Sequence, residues 1–180
     1  MSIDRRTLIV SMLALGLVST PAHGAPPGPD GFVRTGQGIQ TASHWPFTIE
    51  VFTIAHDIKA LPEQKTRQAM IDADVDKRFS LRMLREVEAA KLRAGLRDGY
   101  KRNGYADNER IDRFLAGFSD APKGKAMSIV YDAGAKETRL IVDGAVTTTV
   151  DGSAFMKATW SIWFGKSKPV SLGDELIKEL

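Results

Sequence analysis

The chain has no cysteine. That excludes disulfides, thiolate zinc sites, a cysteine nucleophile and lipoprotein-type acylation, and leaves the core to hold the domain together. Histidine is scarce: beyond residue 24 only His44 and His56 occur, with no His-Glu-x-x-His spacing and nothing in their placement that builds a metal site. Charge of one sign is lacking as well. The 25 basic and 22 acidic residues are scattered, for a formal charge of +3, whereas a nucleic-acid partner wants a clustered basic face. Long apolar runs are missing too; Leu8 to Val18, broken by Ser11, falls short of the about 20 residues that span a bilayer. There is no Walker loop and no Gly-x-Ser-x-Gly elbow. Gly36-Gln37-Gly38 is too short for a dinucleotide fingerprint and precedes a strand rather than following one.

What is present starts with an export pattern. Arg5 and Arg6 form a positive region, Leu8–Val18 an apolar one, and Ala22 and Gly24 occupy the −3 and −1 positions of a peptidase site. Residues 1–24 are therefore expected to be a cleavable signal peptide. Its loss removes Arg5, Arg6 and Asp4, leaves +2, and yields a periplasmic or secreted protein with no membrane span. The stretch Asp4-Arg5-Arg6-Thr7-Leu8-Ile9 resembles a twin-arginine signal, although paired arginines also occur in ordinary signals. Residues 25–35 form a Pro/Gly-rich lead-in, and 36–180 are enough chain for one core.

Within that domain, Phe47 to His56 is rich in β-formers and predicts a strand covered on both sides. Pro62–Asp72 suits a short helix with proline near its first turn. Arg78 to Val87 alternates, with Phe79, Leu81, Met83 and Val87 on one side, and predicts a longer strand. Ala89, Leu92, Leu96 and Tyr100 then recur at helical spacing and stop at Gly104; Asp107 or Asn108 caps a second helix carrying Ile111, Phe114, Leu115 and Phe118. Three strand-like runs lie between Lys125 and Val150, the last two separated by the hairpin signal Asp143-Gly144. A helix with Phe155, Ala158, Thr159, Ile162 and Trp163 on one face runs to Gly165, and Leu172–Leu180 closes the chain as a short helix. The fold class expected is α+β, with helices on one antiparallel sheet.

Few of these residues advertise chemistry. Asp72, Asp74 and Asp76 take positions 1, 3 and 5 of a calcium loop, but Lys77 stands where glycine is needed and Met83 where glutamate is needed; a solvated acidic turn is the better reading. Trp160 and Trp163 suit a core or a pocket wall. Arg82 and Arg85 fall on opposite faces of the expected strand, where an interior position would attract an anion and an exterior one would be solvated.

Four stretches together resemble the bacterial chalcone isomerase-like domain proteins: Gly36-Gln37-Gly38-Ile39-Gln40, Lys77 to Asn103, Leu140-Ile141-Val142-Asp143-Gly144, and Phe155 to Ser171 with Leu176 beyond. The resemblance implies an open-faced β-sandwich, a large antiparallel sheet with helices packed on one side and a ligand cleft between them. In chalcone isomerases an arginine ending the Gly-x-Gly-x-Arg opening, a strand threonine, a helix tyrosine and asparagine, and a C-terminal hydroxyl hold a chalcone during ring closure. Carried over, the arginine position holds Gln40, Thr53 matches the threonine and Ser161 the C-terminal hydroxyl. The stretch Ala90–Asp98 has neither tyrosine nor asparagine; Tyr100 and Asn103 come later, at a different spacing. The resemblance therefore implies a non-catalytic binder of a small apolar or amphipathic ligand, a fatty acid among the candidates, with Gln40, Thr53 and Ser161 as ligand-binding residues. No catalytic residue, cofactor or metal is implied. An isomerase (intramolecular lyase) of the chalcone–flavanone type is the alternative, and an envelope protein-interaction module the second.

Overall fold

The computed structural model describes residues 28–44 and 46–180; the expected signal peptide lies outside them. Among the described residues six strands form one antiparallel sheet in which sequence order is spatial order. They are β1 (Val33–His44), β2 (Phe47–Ile58), β3 (Lys77–Met83), β4 (Ala126–Asp132), β5 (Glu137–Val142) and β6 (Ala145–Asp151). Five helices among the described residues, α1 (Arg67–Asp72), α2 (Ala89–Arg102), α3 (Asn108–Ala116), α4 (Ser153–Phe164) and α5 (Leu172–Glu175), complete the expected α+β fold.

The alternation along β3 shows why the helices take one side. Lys77, Phe79, Leu81 and Met83 are buried, while Arg78, Ser80 and Arg82 are partly or fully exposed. The register carries this division to the neighbours: Phe79 sits opposite His56 and Ile129, and Ser80 opposite Ala55 and Ser128. Against the buried face lies α4, whose Phe155, Met156, Trp160, Trp163 and Phe164 are almost wholly enclosed. Burial of such a set at about 25 cal/mol per Å² of apolar surface is the main stabilising term. Trp160 and Trp163 both pack on Phe79, at 5.0 and 4.7 Å between ring centroids, so they are core.

The β5–β6 turn forms as expected, with Asp143 and Gly144 both at positive φ (50° and 82°) as a two-residue hairpin requires. Other boundaries move. The first helix begins at Arg67 rather than Pro62, because the Thr66 hydroxyl accepts from the Ala69 N–H and sets the cap there. Strand β3 ends at Met83 rather than Val87, which bridges instead to Ala121. β2 is buried on both faces only from Ile54 to Ile58; its first half stands out in the β1–β2 hairpin. Only Leu172–Glu175 of the last segment is helical.

A further departure is β1 itself, which starts at Val33, inside the stretch expected to be a lead-in. Its inner-facing Gly36 and Gly38 seat the α5 segment. A Cβ on Gly36 would stand 2.6 Å from the Leu176 carbonyl carbon, and one on Gly38 would stand 2.6 Å from Leu172 Cδ1. The Glu179 N–H then donates to the Thr35 carbonyl at 2.9 Å.

The acidic turn is likewise tied down. Asp72 pairs with Lys157 of α4, Asp74 with Lys136 and the Tyr131 hydroxyl, and Asp76 with Lys59 and the Ala133 N–H. These hydrogen bonds hold all three carboxyls below the usual range; the segment is the expected acidic turn, with Asp72 and Asp74 exposed, and it is also stapled to its neighbours.

Candidate functional site

The three residues carried over from the resemblance do not meet. Gln40 lies opposite Phe52 and Thr53 opposite Ile39, which puts Gln40 on the helix side of the sheet and Thr53 on the other. The Gln40 amide donates to the Lys168 carbonyl at 2.6 Å and the Thr41 carbonyl at 2.9 Å, so both its hydrogens are spent on the backbone. The Ser161 hydroxyl donates back along α4 to the Lys157 carbonyl at 2.7 Å. Thr53 donates weakly to the Arg82 carbonyl at 3.4 Å.

Between sheet and helices, where a cleft was expected, the space is filled by aromatic rings and a defined polar chain. The Trp160 indole N–H donates to His56 Nε2 at 2.9 Å. That makes His56 the tautomer with its proton on Nδ1, which donates to the Thr35 hydroxyl at 2.7 Å; Thr35 in turn donates to the Leu176 carbonyl at 2.6 Å. Both nitrogens of His56 are thus engaged, and it is a satisfied core histidine. Burial first, then the Lys77 and Arg34 charges, push its pKa well below the ordinary histidine value.

Lys77 occupies the same layer. It is fully buried, donates to the Met70 and Ile71 carbonyls at 2.7 and 3.1 Å, and lies 5.0 Å from the centre of the Trp160 ring. Desolvation draws its pKa down to about 7 against the opposing pull of Asp74 and Asp72. Nearby, the Tyr100 hydroxyl donates to Thr159, 2.9 Å away, whose own proton goes to the Phe155 carbonyl; Asn103 accepts from the Lys166 N–H and closes the end of α2. Each of these named groups has a structural partner, whereas the Thr138 hydroxyl, buried on the same face opposite Tyr131, has none among the described residues.

Among the described residues the opposite face is open. A depression of about 530 Å³ lies across β1–β4, with Gln37, Ile39, Thr53, Ala55, Ser80 and Arg82 among its lining and Ala126 and Ser128 at its β4 side. Of the carried-over residues only Thr53 reaches it. Its floor is shallow because side chains are small there: Ala55, Ser80 and Ser128 stand in register across three strands. One end is closed by charge. Asp57, buried, takes ion pairs from Arg34 and Arg78; Arg78 also reaches Asp30 at 2.7 Å and lies 4.3 Å over the Phe32 ring. The other end holds Arg82, exposed and hydrogen-bonded at 3.3 Å to the Gly124 carbonyl. Arg85 is exposed in the turn after β3 and does not line the depression. Ser80, Ser128 and Gln37 were not singled out from the sequence. The available signal was the alternation that sends small polar residues to one face of β3 and β4.

A family model described as chalcone isomerase-like matches residues 40–179. Among solved structures, the crystal structure of a fatty-acid binding protein of Arabidopsis thaliana superposes with a TM-score of 0.69, covering 85% of this chain and 90% of that one at 13% identity. That similarity extends to the fold. No curated protein sequence matches.

Proposed function

The chain belongs to the chalcone isomerase-like family, and we propose that it is a non-catalytic member that binds a small apolar or amphipathic molecule on the helix-free face of its sheet. The observation that carries this reading is the divergence of Gln40, Thr53 and Ser161. Two are consumed by backbone hydrogen bonds, and the third lies across the sheet from Gln40. Ring closure of a chalcone requires donors converging on one developing oxyanion, and loss of even one such donor costs about 10²–10³ in rate. The concavity on offer is instead the depression between Ile39 and Ser128. A fatty acid is the first probe, since a protein of similar fold is a fatty-acid binding protein. We place this role outside the cytoplasm, after removal of residues 1–24, on the three-part pattern of the N-terminal sequence.

The test is native mass spectrometry of the protein expressed from its full chain and recovered gently from the cell envelope. A mass beginning at Ala25, with a reproducible addition released by organic extraction, is expected. A mass that retains residue 1 overturns the export assignment. A bare protein that also takes up no added fatty acid overturns the binding reading. Chalcone consumed faster than in buffer, followed by absorbance, overturns the non-catalytic one.

A further inference from the structure

We infer that the ligand of the helix-free face is a carboxylate amphiphile whose headgroup is held by Arg82 and whose apolar part lies across Ala55 toward Ile39. This rests on the binding role proposed above and names the chemistry of its ligand.

Charge accounting on the face isolates Arg82. Its other arginines are already matched: Arg34 and Arg78 with Asp57, Arg78 again with Asp30, and Arg139 with Asp132 and Glu137. Arg82 has no carboxylate within ion-pair distance among the described residues, and its one hydrogen bond goes to a neutral carbonyl. No aspartate or glutamate lines the depression, so nothing there competes with an anion for the guanidinium.

The surroundings fit a headgroup with a tail. Thr53 stands directly opposite Arg82, and Ser80 opposite Ser128 in the next row, which puts hydroxyl donors beside the guanidinium. Apolar surface comes from Ile39, Ala55 and Ala126. From Arg82 on β3 past Thr53 on β2 to Ile39 on β1 is two strand spacings, roughly 10 Å, with Ala55 beside that row, which is room for a medium-length alkyl chain. One guanidinium presents a planar fork matched to a carboxylate and supplies a single positive charge. A phosphate monoester would leave its second charge uncompensated, with Arg34 and Arg78 committed to Asp57.

The experiment compares decanoate, decanol and decyl phosphate by calorimetric titration against the wild-type protein, Arg82→Gln, Arg85→Gln and Ser80→Phe, with folding checked by circular dichroism. Decanoate should bind about tenfold more tightly than decanol, the low end of a charge-assisted hydrogen bond. Arg82→Gln should remove that difference, leave decanol binding unchanged and not be reproduced by Arg85→Gln. Ser80→Phe, which fills the floor, should abolish both. Equal binding of decanoate and decanol to wild type overturns the carboxylate assignment and spares the binding role. Tighter binding of decyl phosphate also overturns it. Undiminished binding to folded Ser80→Phe removes the ligand from this face. If none of the three probes binds, the binding role itself fails.

Discussion

The two faces of this sheet are built from the same strands on opposite terms. The helix side is large, aromatic and finished: Phe79, Trp160 and Trp163 interlock, and His56 spends both nitrogens. The far side is small and unfinished, a floor of alanine and serine that ends at an arginine with no acid to meet among the described residues. On the binding role proposed above, the difference teaches that stability and recognition in this member of the family fall to different surfaces. A residue's side of the strand should predict which property its mutation disturbs.

Adjacent positions on β3 give the widest separation. Phe79→Ala opens a cavity at the centre of the aromatic layer and should cost about 3–5 kcal/mol. Ser80→Ala, one residue on and facing out, should stay within about 0.5 kcal/mol. Urea unfolding of both variants measures the contrast, and comparable losses would abolish it. On β2, His56→Phe keeps a ring but strands the Trp160 N–H and removes the donor to Thr35. An unsatisfied buried polar group costs about 1–3 kcal/mol, and a melting curve should show at least one such loss. On β1, Gly36→Ala drives a methyl into the α5 backbone, an overpacking of about 1–3 kcal/mol, whereas outward-facing Gln37→Ala should be neutral.

The smallest effect is a slope with pH. The pKa of Lys77 is drawn down to about 7 from 10.5 in the folded protein. Between those values the unfolded chain binds the extra proton, so this group makes stability rise with pH across that window. Denaturation midpoints at pH 7 and pH 9 should differ in that sense, and Lys77→Met should flatten the difference. His56 behaves likewise lower down: because its folded pKa lies well below 6.5, stability should fall as the solution is acidified through that value.

Much of the helix side was legible in the sequence. Phe79, Leu81 and Met83 alternate, Ile111, Phe114, Leu115 and Phe118 keep helical spacing, and Asp143-Gly144 declares its turn. β1 was not legible, and the reason is physical. Hydrophobic alternation marks a strand when its own side chains fill its inner face, but here the α5 segment does so, by backbone at Gly36 and by the Leu172 and Glu175 side chains at Gly38, and the sequence must supply glycine at both. The same pair looks like a fragment of a phosphate loop when read without its partner. The site was harder still. Placing Gln40 and Thr53 in one cleft ignored the period of two that sends residues opposite Phe52 and Ile39 to different faces. Ser80 and Ser128 gave no sign singly; their meaning lies in standing in register across β3 and β4.

The contact of Thr35 with Leu176 joins residues 141 positions apart. During synthesis, therefore, the first strand is made long before the segment that covers it. Until that segment leaves the ribosome, Gly36 and Gly38 expose bare backbone, Thr35 has no carbonyl to donate to, and the relay through His56 to Trp160 is open at one end. The domain can assemble its later strands early, yet its first and last pieces must find each other at the end, after paying the largest loop-closure cost in the fold. Folding should be gated by arrival of the C-terminal segment, so a chain tethered just after Gly165 would hold its meander while leaving β1 unsealed.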